Sequence, residues 1–184
     1  MKLSTSRESL LKPLQAVIGV VERRQTMPVL ANVLLIANNE RLSITATDLE
    51  VELVAGAQVD SVTTPGEITV PGRKLLDICR ALPDQAEVKL SLKGDRVTVQ
   101  SGRSKFVLSS LPATEFPVVE DIDADRVLTV AQADFSHLLE KTHFSMAQQD
   151  VRYYLNGLLL ETGKGRLRAV ATDGHRLALA VLEL

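Results

Sequence analysis

Thr172-Asp173-Gly174-His175-Arg176-Leu177 is a polar stretch set between two runs of strand-like alternation. Arg166-Leu167-Arg168-Ala169-Val170-Ala171 precedes it, and Ala178-Leu179-Ala180-Val181-Leu182 follows. A Gly in a polar kink between such runs marks a turn joining two strands. The phrase occurs twice. Ser43-Ile44-Thr45-Ala46-Thr47-Asp48 leads into Leu49-Glu50-Val51-Glu52-Leu53-Val54. Both copies read strand, Ala-Thr-Asp, strand. The first is read as continuing directly, and the second as adding Gly174-His175-Arg176-Leu177. Asp173 lies 125 residues after Asp48, and Leu128-Thr129-Val130 echoes Leu3-Ser4-Thr5 at the same shift. Tyr153 to Leu160 echoes Leu30 to Leu35, with Asn156 124 residues after Asn32. Markers agreeing within one residue indicate a duplication, and so long a period means duplicated domains rather than a solenoid. The shared phrase is read as architecture, and the difference between copies as the place to look for function.

Outward from the first copy, Leu3 to Thr5 reads as a strand, with Thr5 and Glu8 spaced as a capping box. Leu10, Leu14, Val17, Ile18 and Val21 recur at helical spacing, with Lys12, Gln15, Ala16 and Gly19 opposite and Pro13 inside. Strands are expected at Asn32 to Ala37 and Arg41 to Thr47 around an Asn38-Asn39 turn, then at Glu50 to Val59 and Gly66 to Val70. Pro71-Gly72 opens a second helix, with Leu75, Leu76, Ile78, Cys79 and Leu82 apolar and Arg73, Lys74, Asp77 and Arg80 polar. A hairpin across Lys93-Gly94-Asp95 and a strand at Lys105 to Ser109 follow. Periodicity is then lost, and an acidic stretch, Glu120 to Asp125, marks a domain boundary, giving domains at 1–120 and 121–184. Phe135, Leu138, Leu139, Thr142 and Met146 form the stripe of a third helix. The second copy stops 11 residues past Asp173, so a fragment of a longer protein is expected.

The chain has 184 residues, enough to bury roughly 70% of its unfolded surface without staples. Its net charge is -2, so nucleic-acid binding needs a local basic surface. One Cys excludes an internal disulfide, and Cys79 lies on an apolar helix face as a core residue. The N-terminus lacks the apolar core of a signal peptide, and no apolar run reaches the ~18 residues of a membrane span. A cytoplasmic protein with no membrane partner is the expectation. With no Trp and 3% aromatics, base-stacking platforms are not expected.

His137 and His143 are read as six apart on one helix, where they cannot chelate together, so no metal site is expected. Asp173 with His175 suggests acid–base catalysis. Asp48 recurs without a His, however, so the repeated Asp is read as bonding local backbone where strands meet. No phosphate loop or nucleophile elbow is present, and neither an enzymatic activity nor a cofactor is expected. Gly174-His175-Arg176-Leu177 offers close backbone approach, donors and an apolar wall, the chemistry of a peptide groove. On spacing alone, a structural turn and a groove stay equally open. Basic helix faces without aromatics fit phosphate contact without base readout, or ordinary solvation.

Longer motifs go further. Asp150-Val151-Arg152-Tyr153-Tyr154-Leu155-Asn156-Gly157, then Val170-Ala171-Thr172-Asp173-Gly174-His175-Arg176-Leu177, closely resembles the bacterial DNA polymerase III β sliding clamp family. Leu10 to Leu14, Thr47 to Glu50, Val70 to Lys74 and Ser101 to Ser104 match as well, so the resemblance spans the chain. It implies an α+β DNA clamp fold, with duplicated domains each carrying two helices on antiparallel sheets. It implies a processivity factor, a head-to-tail homodimeric ring around duplex DNA, with this chain covering domain one and about half of domain two.

By resemblance, DNA contacts fall to Lys12, Arg24, Arg73, Arg80, Lys141, Gln149, Tyr153 and Tyr154. The pocket for short linear motifs of the replicative polymerase, clamp loader and repair polymerases matches Leu155, Thr172, Gly174, His175, Arg176 and Leu177. The subunit interface matches Lys74, Arg96, Arg103, Lys105, Phe106 and Leu108. The rest of the pocket and the third domain lie in sequence this chain lacks, so the fragment is not expected to close a ring. The rival expectation is a peptide-binding module that never encircles DNA.

Overall fold

The computed structural model describes residues 1–21, 27–117, 119 and 127–184. The chain divides into two units, Met1–Asp121 and Ile122–Leu184.

Unit 1 opens with β1 (Lys2–Ser6), whose alternation turns Leu3 and Thr5 into the core. Ser6 ends the strand and caps α1 (Arg7–Val17), its hydroxyl accepting from the Ser9 amide at 3.2 Å. The cap expected at Thr5 is therefore one residue later, because strand alternation commits Thr5 to the core. Glu8 serves another loop, accepting from the Gln85 amide at 3.0 Å. Helix α1 buries Leu10, Pro13, Leu14 and Val17 and exposes Lys12, Gln15 and Ala16. Beyond Val17 the chain tightens into a 3-10 turn, Ile18–Val20, so the expected stripe leaves the α-helix before Val21.

Next come β2 (Asn32–Asn38), β3 (Arg41–Thr47), β4 (Glu52–Gln58), β5 (Ser61–Thr64) and β6 (Gly66–Pro71). The β2–β3 turn falls at Asn39 and Glu40, both at positive φ (45° and 60°), as a tight hairpin needs. Helix α2 (Gly72–Ala81) is followed by β7 (Glu87–Lys93), β8 (Arg96–Ser101) and β9 (Ser104–Ser109). The strands form two antiparallel sheets, β5-β1-β7-β8-β9 and β4-β3-β2-β6. Strand β5 was not expected, since four largely polar residues carry little alternation and form a strand only by pairing with β1. Both helices pack over a core that includes Leu10, Leu14, Leu35, Ile44, Leu75, Cys79, Leu90 and Val99.

In unit 2, α3 spans Gln132–Glu140. The expected stripe ran on to Thr142 and Met146, but Thr142 Oγ1 donates to the Leu138 carbonyl at 3.1 Å and a 3-10 turn, His143–Ser145, takes over. His137 and His143 are thus not on one helix. Leu128 to Val130 is not a strand. Its counterpart in unit 1 is held by β5 and β7, which have no equivalent among the described residues of unit 2. A second 3-10 turn, Tyr153–Asn156, leads to β10 (Leu159–Gly163), β11 (Arg166–Thr172) and β12 (Leu177–Glu183), an antiparallel sheet in the order β10-β11-β12.

That sheet repeats β2-β3-β4 in register. Arg41–Thr47 becomes Arg166–Thr172, and Glu52–Gln58 becomes Leu177–Glu183, each 125 residues later. Leu34 pairs with Thr45 as Leu159 pairs with Val170, and Thr45 with Val54 as Val170 with Leu179. Equal spacing leaves no room for an insertion, so Gly174-His175-Arg176 replaces Leu49-Glu50-Val51 rather than adding to it. The asparagine marker is not equivalent between copies. Asn32 donates to Thr69 Oγ1, whereas Asn156 bonds the backbone of Asp150. Leu34 is 3% exposed beneath Val29, Leu30 and Phe116, while its counterpart Leu159 is 61% exposed.

Candidate functional site

The turn between β11 and β12 is built by two side chains. Thr172 Oγ1 accepts from the Gly174 amide at 3.1 Å and donates to the Arg176 carbonyl at 2.7 Å. Asp173 Oδ1 accepts from the His175 and Arg176 amides, both at 2.9 Å, and Oδ2 from Arg176 Nε at 2.9 Å. The two amides, then the guanidinium, hold the Asp173 carboxyl below the usual aspartate range. Unit 1 uses the same device. Thr47 Oγ1 accepts from the Leu49 amide at 3.0 Å, and Asp48 Oδ1 from the Glu50 and Val51 amides at 3.0 and 2.8 Å. Asp173 is therefore a turn-forming residue rather than part of an extended strand, and its acceptors are engaged by backbone and Arg176 rather than by the His175 ring.

On this common frame the second copy presents different chemistry. His175 and Arg176 are exposed, and the Arg176 guanidinium lies 6.0 Å from the centre of the Phe144 ring. Together they border a depression of about 440 Å3, shared with Met146, Gln149, Asp150, Arg152 and Asp173. Leu177, 63% exposed, opens the outer face of β12 beside Thr172, where Leu179 and Val181 continue an apolar strip. Leu155 is half-buried in the neighbouring loop, its amide bonded to the Arg152 carbonyl at 2.8 Å. The six pocket residues expected from sequence therefore divide. His175 and Arg176 line the depression, Thr172 and Gly174 shape the turn, and Leu155 and Leu177 supply apolar surface outside it.

Sequence reasoning missed Asp150, Arg152 and Phe144. Asp150 takes the Arg152 guanidinium in two bonds, at 3.1 and 2.9 Å, and the Arg152 amide at 2.8 Å. Its carboxyl is lowered to about 2, first by the Arg152 side chain and then by the amide. The Asp-x-Arg spacing was the available signal.

The residues expected to touch DNA are distributed as follows. Arg24 lies outside the described residues. Lys12 and Arg80 are exposed on α1 and α2, Lys141 is exposed at the end of α3, and Gln149 is exposed at φ 58°. Tyr153 and Tyr154 are 81% and 69% exposed, edge to face with ring centres 6.1 Å apart. Arg73 is half-buried, and its guanidinium donates to the Val21 carbonyl, so it is a pinned charge rather than a mobile one. Among the described residues no cluster of His, Cys, Asp and Glu could hold a metal, and no helix is long and apolar enough to cross a membrane.

The family model for the DNA polymerase III beta subunit N-terminal domain matches residues 1–120, and that for its central domain matches residues 129–184. The chain belongs to the DNA polymerase III beta subunit family. The beta sliding clamp of Pseudomonas putida is 55% identical over 179 residues, covering 97% of this chain and 49% of that protein. The Escherichia coli beta sliding clamp is 51% identical over 184 residues, covering 100% of this chain and 50% of that one. The crystal structure of the Pseudomonas aeruginosa beta subunit superposes with a TM-score of 0.96 at 52% identity, covering 100% of this chain and 50% of that chain. Another Pseudomonas aeruginosa sliding clamp, at 53% identity and a TM-score of 0.95, was solved bound to griselimycin; this chain covers 50% of it. The chain thus spans about half the length of the curated relatives it matches. Its fold is the α+β fold of these beta subunits.

Of the residues expected at a beta-subunit interface, Lys74, Arg96, Arg103 and Lys105 are exposed. Phe106 is half-buried against the core, and Leu108 is a core residue at 7% exposure. On β9, Phe106 and Leu108 share the face opposite Val99 and Val97, while Val107 points out at 50% exposure.

Proposed function

We propose that this chain forms the first domain and the beginning of the second domain of a DNA polymerase processivity clamp, with domains at 1–120 and from 121 onward. The whole protein encircles duplex DNA as a homodimer and tethers replicative polymerase, clamp loader and repair polymerases through short linear motifs, without catalysis. One observation carries the tethering role. Two turns share the Thr-Asp frame and length, and only the second presents Gly174, His175 and Arg176 beside Leu177. In a purely structural turn the second copy needs no exposed donors next to an apolar strip.

Leu155, Thr172, Gly174, His175, Arg176 and Leu177 form the peptide-binding half-site in this reading. Lys12, Arg80, Lys141, Gln149, Tyr153 and Tyr154 meet DNA, with Arg73 as a fixed charge. The exposed cations of α2, β8 and β9, with the free edge of β9, meet the neighbouring subunit.

Griselimycin is the probe, since a Pseudomonas aeruginosa relative was solved with it. Calorimetry on the full-length protein should give binding to the parent and a loss of at least tenfold in Leu177→Lys, because a charge replaces apolar contact surface. Equal affinity in the two proteins removes the pocket from Leu177.

A further inference from the structure

The loop ahead of β10 is closed by one side chain. Asn156 Oδ1 accepts from the Asp150 amide at 2.9 Å, and Asn156 Nδ2 donates to the Asp150 carbonyl at 3.0 Å. Both functions of the amide are thereby spent on one backbone unit six residues away, a bridge of the kind two strands make with each other. The chain needs such a fastening because Gln149, just before it, lies at φ 58°, outside any regular run.

The fastened residue holds another in turn. Asp150 binds the Arg152 guanidinium through both carboxylate oxygens, which fixes the plane of that fork. The fork lies against Gly174. A Cβ at 174 would stand 3.4 Å from Arg152 Nη1 and 3.5 Å from Nη2. The path Asn156, Asp150, Arg152, Gly174 therefore joins the loop to the turn that carries His175 and Arg176. The hydrogen bonds of the Asn156 side chain go to Asp150 and not to the side chains of that turn.

We propose that Asn156 is a positioning residue for the peptide half-site, setting Arg152 beneath Gly174 by fastening Asp150. This rests on the reading of Leu155 and the 172–177 turn as a peptide site. Without the amide, Asp150 and its arginine are released together. The cation is then free to swing toward the depression instead of supporting the turn. Two hydrogen bonds at stake correspond to about a tenfold loss of ligand affinity.

The chain carries its own reporter. Tyr153 and Tyr154 are its only tyrosines, and it has no Trp, so ultraviolet-excited emission comes from this loop. The test compares the parent, Asn156→Ala, Arg152→Ala and the double variant by tyrosine emission with acrylamide quenching, by far-UV circular dichroism, and by griselimycin calorimetry. Asn156→Ala should change tyrosine quenching in the native state with the circular dichroism unchanged, and weaken griselimycin about tenfold. In the Arg152→Ala background it should cost nothing further, because its effect passes through Arg152. Unchanged quenching in Asn156→Ala overturns the fastening. A full tenfold loss that persists in the Arg152→Ala background overturns the path to Gly174. The calorimetry is run on the full-length protein, and a full-length parent that does not take griselimycin overturns the pocket reading and the positioning role with it, while the quenching arm, run on this chain, still decides the fastening by itself.

Discussion

Leu49 sits at φ 78° and its counterpart Gly174 at φ 89°. The left-handed region costs a residue with a Cβ about 1–2 kcal/mol, and Gly nothing. Unit 1 tolerates the strain because Thr47 and Asp48 fix three amides of the turn, whatever residue stands at 49. Leu49 is 58% exposed, so little packing is lost by trimming it. Leu49→Gly should therefore be more stable than Leu49→Ala by about 1 kcal/mol, after the greater freedom of Gly in the unfolded chain is discounted. In thermal unfolding that is a difference of about 4 °C between the two variants. The reverse order would mean that the turn does not hold residue 49 left-handed.

At the scale of elements, β3, β4, β11 and β12 were legible because alternation and a repeated phrase marked each of them twice. The turns between them were misjudged as one continuous strand and one insertion. Their geometry comes from carboxylate and hydroxyl bonds to amides, which leave no periodic trace. Helix α1 was legible from its stripe, but its cap was placed at Thr5 instead of Ser6, because the choice depends on which strand face meets the core. The Asn156–Asp150 bridge spans six residues, a spacing belonging to neither helix nor strand.

Asp150 gives that loop a pH dependence. Its carboxyl lies at about 2 instead of 3.8. A lowered folded value means that the stabilisation is complete above the unfolded value and is lost as pH falls through the folded one. Tyrosine emission should therefore hold steady from neutral pH down to 4 and change only as pH approaches 2. Asp150→Asn should show the altered emission already at neutral pH. A parent transition above pH 4 would mean that the Arg152 pair does not hold the loop.

For the whole molecule, a net charge of -2 and exposed Lys12 and Arg80 coexist, so any phosphate contact is local. Binding to a short labelled duplex should weaken as salt rises, with a log–log slope that counts the contacts. Replacing Lys12 and Arg80 by Ala should lower that slope by about 2, at roughly 0.9 per phosphate contact. A slope unchanged in the double variant would remove these two side chains from the DNA-facing surface. Arg73 was expected on the polar face of α2, and its tie to Val21 was not, because periodicity locates a side chain on a face but not its bonding partner.

Cys79 is the chain's single thiol, sealed in unit 1 at 0% exposure and pushed by burial up to about 11. A disulfide reagent at mild alkaline pH meets it only during the moments when unit 1 opens. The thiol is therefore a built-in clock for that opening, and its labelling rate reads the open population of unit 1 when reclosing is fast. Both tyrosines belong to unit 2. One unmodified sample thus carries two separate meters, and mixing time against emission reveals whether the two units come apart in one step or in two.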